Sequence, residues 1–353
     1  MKEVEYFIAG CAFDIAPVLT RIAFLSYSET GTVSIPECLP FKGEWGENST
    51  ASFLEDSSYP LPNGIHIIYL SIIEQKFYML DARLPQEEIY REWKKKVRGD
   101  DTTLFEKIIV GMAPYGGVAV WLSGEKKQIL VRWLQGISIM LSMEQFLPEN
   151  PSIKLNDLCS FYIKNSVLSS KYLEQNGLPP RHLFDNYMKQ FTYRYLPLFE
   201  HWDMDQKEWK KYEGEEDMKT MPELDYIEEA LFDGTHDKLH DGGLMNYHQA
   251  GKPKKLSLKW QIKKSEYTAY FWFEDEEIRT VFERFYGVHP ETKADFIIRI
   301  DSEKNKYELA LYRYGLKEPQ VISESAYQLL VFKNKFECYR SENYNQPRGA
   351  WIW

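Results

Sequence analysis

Twice in this chain of 353 residues, two runs rich in β-branched and aromatic residues lead into a charged amphipathic segment, and a second pair of such runs follows. The first instance spans Gly64 to Gly136. Ile65 to Ser71 and Lys76 to Leu84 are separated by a polar Glu74-Gln75 break of hairpin length. From Pro85 the period changes: Ile89, Trp93 and Val97 fall at i, i+4 and i+8, with Glu and Lys on the other faces. That spacing predicts a helix, and Pro85 suits its start because the missing N–H would be unbonded there anyway. Phe105 to Met112 and Val118 to Ser123 then flank Pro114-Tyr-Gly-Gly117, whose paired glycines suit the positive φ of a tight turn. The pattern predicts a small sheet with one helix across a face.

The second instance follows when Glu87-Glu88-Ile89 is set on Glu276-Glu277-Ile278, which places Trp93 on Phe282. Aromatic strands precede both helices (Lys76-Phe-Tyr-Met-Leu; Tyr267 to Phe273). Strands from Phe105 to Val110 and from Phe296 to Ile300 follow them, and further strands close at Gly124 and Gly315. Matching element order with weak identity is what an old duplication leaves.

The remainder reads in order. Val4 to Phe13 is a first strand, and Arg21 to Tyr27 and Thr32 to Ile35 flank a Ser28-Glu-Thr-Gly31 turn. Lys42 to Asn63 reads as a loop, and Gln128 to Met143 as one or two strands. Leu155, Leu158, Cys159, Tyr162 and Ile163 predict a helix; so do Phe184, Tyr187, Met188, Phe191 and Tyr195 after Pro179-Pro180. Thr220 with Glu223 reads as a capping box opening a third helix through Leu224, Ile227 and Leu231. The aromatic end, Asn343 to Trp353, is expected to be docked. The expected fold class is therefore α+β, with two related strand-strand-helix-strand-strand units joined by a helical segment. Its divisions are residues 1–150, a helical connection 151–232, a His/Asp/Gly-rich loop 233–255 and a second unit 256–353.

A net charge of −10, with no basic run longer than Lys94-Lys-Lys96, argues against sequence-independent nucleic-acid binding. No stretch approaches the roughly 20 apolar residues that span a bilayer. Cys11, Cys38, Cys159 and Cys338 are scattered without metal-ligand spacing and read as reduced thiols. Ile8-Ala9-Gly10-Cys11 has the small-residue look of a lipidation site. Its flanks carry acids and only a short apolar core, against the about 7–15 residues a signal peptide uses. A cytoplasmic location is the expectation, with a periplasmic or envelope location as the alternative if Cys11 is lipidated.

The most site-like cluster is Asp233-Gly-Thr-His236-Asp237-Lys-Leu-His240-Asp241, with His248 close behind. On a helix, His236 and His240 would share a face and could ligate zinc with Asp241 or His248. Gly242-Gly243 favours a hydrogen-bonded polar loop instead. Acid pairs (Glu87-Glu88, Glu215-Glu-Asp217, Glu228-Glu229, Glu274 to Glu277) could serve glycoside hydrolysis, although a helix macrodipole already explains Glu87, Glu276 and Glu277. Gly111 to Gly117 lacks the basic residue of a phosphate loop and reads as a turn. No catalytic residue, cofactor or metal site is assigned, with His236, His240, Asp241 and His248 held as weak metal candidates. The aromatic residues (10 Trp, 24 Tyr, 20 Phe) could line a glycan or protein interface.

Ser71-Ile-Ile-Glu74-Gln-Lys76-Phe-Tyr78, the Leu84-Pro85 helix start and Gly111-Met-Ala-Pro-Tyr-Gly-Gly-Val-Ala-Val-Trp121-Leu-Ser-Gly124 resemble a bacterial family known as a numbered domain of unknown function, the 2931 group. The motifs cover about residues 43–140, and the rest looks like the family's long form from gut Bacteroidetes-type bacteria. The resemblance implies relatives that look like lipoproteins, from which this chain departs in its leader. It also implies, by the placement of some relatives beside antibacterial effectors, an immunity role; it carries over no catalytic residues. The expected function is a non-catalytic binding protein, an immunity or inhibitor protein with an effector as partner. The alternatives are a metal-assisted hydrolase centred on His236 and His240 and a glycan-binding module.

Overall fold

The computed structural model describes residues 4–27, 31–34, 40–41, 45–47, 50–52, 59–96, 104–212, 222–244, 246–287, 290–301, 306–313, 319–323, 326–333 and 336–340. It is β-rich with a few helices and divides into two compact units: residues 1–188 with 233–235, and residues 189–232 with 236–353. The C-terminal segment 343–353, Thr220, the acids at 215–217, the turn residues 28–30 and Cys38 lie outside the described residues. No helix among the described residues is long and apolar enough to cross a membrane.

The first unit contains two sheets. Strands β1 (Phe7–Ala12), β5 (Thr50–Ser52), β8 (Lys107–Met112), β9 (Gly117–Ser123) and β10 (Gln128–Gln135) run in the order β5-β1-β8-β9-β10. Strands β2 (Val18–Ser26), β3 (Thr32–Ser34), β6 (Gly64–Ser71), β7 (Lys76–Arg83) and β11 (Ile137–Ile139) run β3-β2-β6-β7-β11, with β4 (Pro40–Phe41) also on β2. The two predicted hairpins form, β6 with β7 and β8 with β9, but they do not share the single small sheet expected of them. β8 instead pairs in parallel with β1, Phe7 opposite Lys107, a pairing with no local sequence signal.

The helix α1 (Gln86–Trp93) buries Ile89 and Trp93, the residues its 3.6 period selects. They join one core with Ile8 of β1, Leu25 of β2, Ile67 and Leu80 of the β6–β7 hairpin, and Val110 and Val120 of the β8–β9 hairpin. Both sheets also bury their other faces. Ala9, Cys11, Ile109 and Trp121 pack with Trp45 and with Phe184 of α5 (Arg181–Tyr187). Leu19, Leu70 and Phe77 pack with Phe146 of α2 (Met143–Phe146) and with Cys159 of α3 (Leu155–Lys164). Strands covered on both sides need the near-continuous apolar runs seen in β8 and β9.

The second unit begins earlier than expected. The helices of 151–232 stop at Tyr187: after α3, α4 (Val167–Asn176) and α5, the chain turns to strands. Phe191 and Tyr195, whose spacing of four also fits a helix, lie with Tyr193 at alternate positions along β12 (Phe191–Phe199). The third predicted helix is β15 (Glu223–Leu231), whose buried residues are Ile227, Glu229 and Leu231. Glu229 conceals the period of two because a carboxylate occupies an inward position. Likewise the loop expected over 233–255 contains β16 (His236–His240), a short helix Asp241–Leu244, β17 (His248–Ala250) and the start of β18 (Pro253–Ile262).

With β19 (Ser265–Trp272), β23 (Ala326–Lys333) and β24 (Phe336–Arg340), these strands run β16-β15-β18-β19-β23-β24. A second sheet runs β17-β12-β20-β21-β22, with β20 (Ala294–Asp301), β21 (Lys306–Tyr312) and β22 (Gln320–Ile322). β12 and β20 are parallel, Tyr193 opposite Ala294. The helix Asp275–Tyr286 sets Ile278, Val281, Phe282, Phe285 and Tyr286 into a core with both sheets. A hairpin of β13 (His201–Asp203) and β14 (Glu208–Lys210) is joined through Trp202 against Trp209.

Phe282 is fully buried and touches Phe191, Tyr193, Tyr286 and Phe296 through its ring. Phe282→Ala is expected to cost about 3–5 kcal/mol in urea unfolding of the full chain, read from the transition of the second unit. A loss below about 1 kcal/mol would mean that this ring is not a keystone of the core.

Candidate functional site

The motif residues of the first unit converge on one turn. After β6 the chain reverses through Ile72 to Gln75, with Gln75 at φ 55°, and this leaves Glu74 pointing toward the β8–β9 connection. One oxygen of Glu74 accepts from the Tyr78 hydroxyl at 2.7 Å and the other from the backbone N–H of Tyr115 at 2.7 Å. The residues at positive φ in that connection are Tyr115 (62°) and Gly116 (84°), not the glycine pair expected, since Gly117 already has β geometry. A left-handed tyrosine is strained. Its neighbours hold it: Gln135 donates to the Tyr115 carbonyl at 2.5 Å, and the Tyr115 hydroxyl donates to the Pro179 carbonyl at 2.7 Å.

Beneath this clasp Tyr69, fully buried, donates to the Ala113 carbonyl at 2.7 Å. Burial, followed by the hydrogen bond to Glu74, pushes the Tyr78 phenol above its ordinary range. Both carboxylate oxygens of Glu74 are thus engaged in holding the turn.

Beside α1 the same unit opens a cleft of about 1160 Å³ whose wall includes Asn63, Asp81, Arg83, Glu87, Glu88 and Arg91. The local sequence builds it. The Leu84 N–H donates to the Asn63 carbonyl at 2.9 Å and ends the hairpin, and Pro85 then starts the helix, whose first turn faces the strand ends. The Gln86 side-chain amide fastens this corner to the Leu61 carbonyl. Arg132 holds Glu88 at 3.0 Å, and His66 lies 3.6 Å from Asp81. Among the described residues Arg83 and Glu87 have no ion-pair partner, and both are exposed.

The second unit contains a polar cluster that the sequence reading missed. Glu229 is 6% exposed, and its carboxylate accepts from the Tyr195 hydroxyl at 2.6 Å. His248 Nε2 stands 3.9 Å from its other oxygen. Tyr193 donates to the Gly251 carbonyl at 2.7 Å, and Lys252 is 1% exposed. Burial first, and then the Glu229 charge, pushes the Tyr195 phenol well above its ordinary range. A carboxylate in the core is a departure from the expected alternation, and that departure was the available signal.

The metal candidates are differently placed from their expected arrangement. His236 and His240 lie on β16, where four residues span roughly 13 Å, so the shared helical face that motivated a joint ligand role is not formed. The His240 Nδ1 lies 3.3 Å from the Asp225 carbonyl, His248 sits on β17 beside Glu229, and Asp241 opens the short helix. Among the described residues no group of three or more His, Cys, Asp or Glu is arranged to hold a metal ion. Of the acid pairs, Glu228 reaches Lys238 at 3.0 Å while Glu229 turns inward, and Glu277 accepts from the Ser323 N–H at 2.6 Å. None of the described tryptophans is exposed.

Cys11 and Cys159 are free, buried thiols; burial pushes Cys11 up to about 12 and Cys159 to about 11.

A model of the family described as Protein of unknown function (DUF2931) matches residues 23–179, a span that contains Glu74, Tyr78, the Pro114–Gly117 turn and the cleft. No curated protein and no solved structure matches the chain.

Glu74→Ala, which leaves the Tyr115 N–H and the Tyr78 hydroxyl without their acceptor, is expected to cost about 2–4 kcal/mol in urea unfolding, with Glu74→Gln intermediate. At pH 8 a disulfide-exchange reagent should leave Cys11 and Cys159 unmodified in the native protein and modify both in urea, as peptide mass mapping would record.

Proposed function

Starting from a DUF2931 domain over residues 23–179, we propose that this is a non-catalytic binding protein, an immunity or inhibitor protein that occludes an antibacterial effector. The observation that carries the reading is the cleft beside α1. Its wall brings two cations, Arg83 and Arg91, together with three anions, Asp81, Glu87 and Glu88, on a hairpin end and a helix turn that are fixed to one another. Mixed charge on rigid elements suits recognition of a protein surface, where complementary pairs set orientation and register. The conspicuous carboxylate of the family motifs, Glu74, serves as a structural acceptor. A net charge of −10 would speed capture of a basic effector.

We also infer that the second unit is a diverged copy of the first. Supporting this, the order β5-β1-β8-β9-β10 has its counterpart in β17-β12-β20-β21-β22, and β3-β2-β6-β7-β11 in β16-β15-β18-β19-β23. Small details agree. The Leu84 N–H reaches the Asn63 carbonyl and the Phe273 N–H the Lys254 carbonyl, at 2.9 and 3.1 Å. Each helix opens with a 3.0 Å bond, Ile89 to Pro85 and Ile278 to Glu274. The turns before the helices each use a non-glycine residue at φ 55°, Gln75 and Lys263. Relatives of residues 189–353 should therefore align to the first unit with Ile278 on Ile89; another register would overturn the duplication.

The functional reading is tested with the product of the adjacent gene. The full chain should co-purify with it and suppress its activity, and Arg83→Glu or Glu87→Arg should weaken the complex by about tenfold or more without changing the circular dichroism spectrum. Effector activity that persists in a saturating excess of this protein would refute the reading.

A further inference from the structure

We propose that His248 and Glu229 form a proton-operated latch that fixes the edge strand β17 to the core of the second unit. The inference is independent of the binding function above.

β17 is three residues long and, among the described strands, lies at the end of its sheet and pairs with β12 alone, through Phe191–Ala250, Thr192–Gln249 and Tyr193–His248. So short an edge strand needs a side-chain anchor to stay in place. His248 is placed to supply one: its ring stands over Tyr193 and Tyr195 of β12, at centroid distances of 5.4 and 6.3 Å, and Nε2 faces Glu229 of β15 at 3.9 Å. The His248 side chain is 29% exposed while that of Glu229 is 4% exposed. The His248 ring edge meets solvent although Nε2 itself is buried, and the carboxylate beside it is shielded, so that its attraction for a nearby cation is little screened.

Among the described residues, the groups facing the ring include Glu229, the phenols of Tyr193 and Tyr195, and the Asn246 carbonyl, 3.4 Å from Nδ1. Lys252, buried just after β17, directs its Nζ over the Phe191 ring at 5.4 Å. The Tyr195 phenol donates to Glu229, a bond that favours the ionised carboxylate. The adjacent carboxylate favours the imidazolium and burial of Nε2 acts against it; the latch requires that the carboxylate prevail.

The sign follows. A histidine whose folded-state pKa is raised contributes stability that is fully present below its ordinary value of about 6.5 and is lost as pH rises through the raised value. β17 is therefore held most firmly in mildly acidic solution and loosened above neutrality.

The test uses the full chain. Imidazole resonances are followed by NMR from pH 5 to 9, with the His248 signal assigned by its loss in His248→Gln. The expected result is a His248 midpoint above about 6.5 that falls by about one unit in Glu229→Gln, whose amide can still accept from Tyr195. As a second reading, hydrogen exchange at the Tyr193 and Ala250 amides, corrected for intrinsic rate, should show greater protection at pH 5.5 than at pH 8 in the native sequence. In His248→Gln that difference should disappear. If Glu229→Gln fails to fold, the exchange comparison in the native sequence and His248→Gln decides alone. A His248 midpoint at or below the ordinary value, or one unmoved by Glu229→Gln in a folded variant, would overturn the proposal. So would pH-independent protection of β17.

Discussion

Each unit depends on a pairing between strands far apart in sequence. β1 lies parallel to β8, and β12 to β20, with Phe7 opposite Lys107 and Tyr193 opposite Ala294. A parallel pair cannot be closed by a tight turn, so the intervening chain must leave the sheet and return. In both units it uses that excursion to lay down a second sheet and a helix, and the helix seals the core that the two sheets share. The entropy of closing so large a loop is recovered only when those elements have packed, which makes each unit an all-or-nothing assembly.

The parts of this design that are local were legible in the sequence. The β6–β7 and β8–β9 hairpins, the start of α1 after Pro85 and the burial of Ile89 and Trp93 all follow from short-range period and turn chemistry. The parallel pairings were not legible, because nothing near Phe7 specifies Lys107 as its neighbour. Two further misreadings have particular causes. Aromatic residues at Phe191 and Tyr195 satisfy both a helical and an extended spacing, and Glu229 places a charge where alternation calls for an apolar side chain.

The candidate site divides in the same way. Glu74, Tyr78 and the Pro114–Gly117 turn were marked by family resemblance, yet only geometry reveals that one carboxylate grips both the hydroxyl and the backbone N–H. Arg83 and Arg91 carried no signal at all, because exposed cations beside a helix are ordinary until the chain brings them to a common wall with Glu87. The histidines of 236–248 attracted attention for their density. Their spacing implied shared chemistry only under a helical backbone, and an extended one separates them.

The parallel pairing of β1 with β8 also bears on how the first unit would respond to damage. A single backbone break between β7 and β8 would leave one piece holding β1, β2, β6 and β7 and the other holding β8 through β11. Because β8 pairs with β1 and β11 with β7, each piece contributes strands to both layers, and neither could depart without tearing two seams at once. A nicked molecule should therefore travel as one particle until denatured, its halves entangled by hydrogen bonding in place of the missing peptide link.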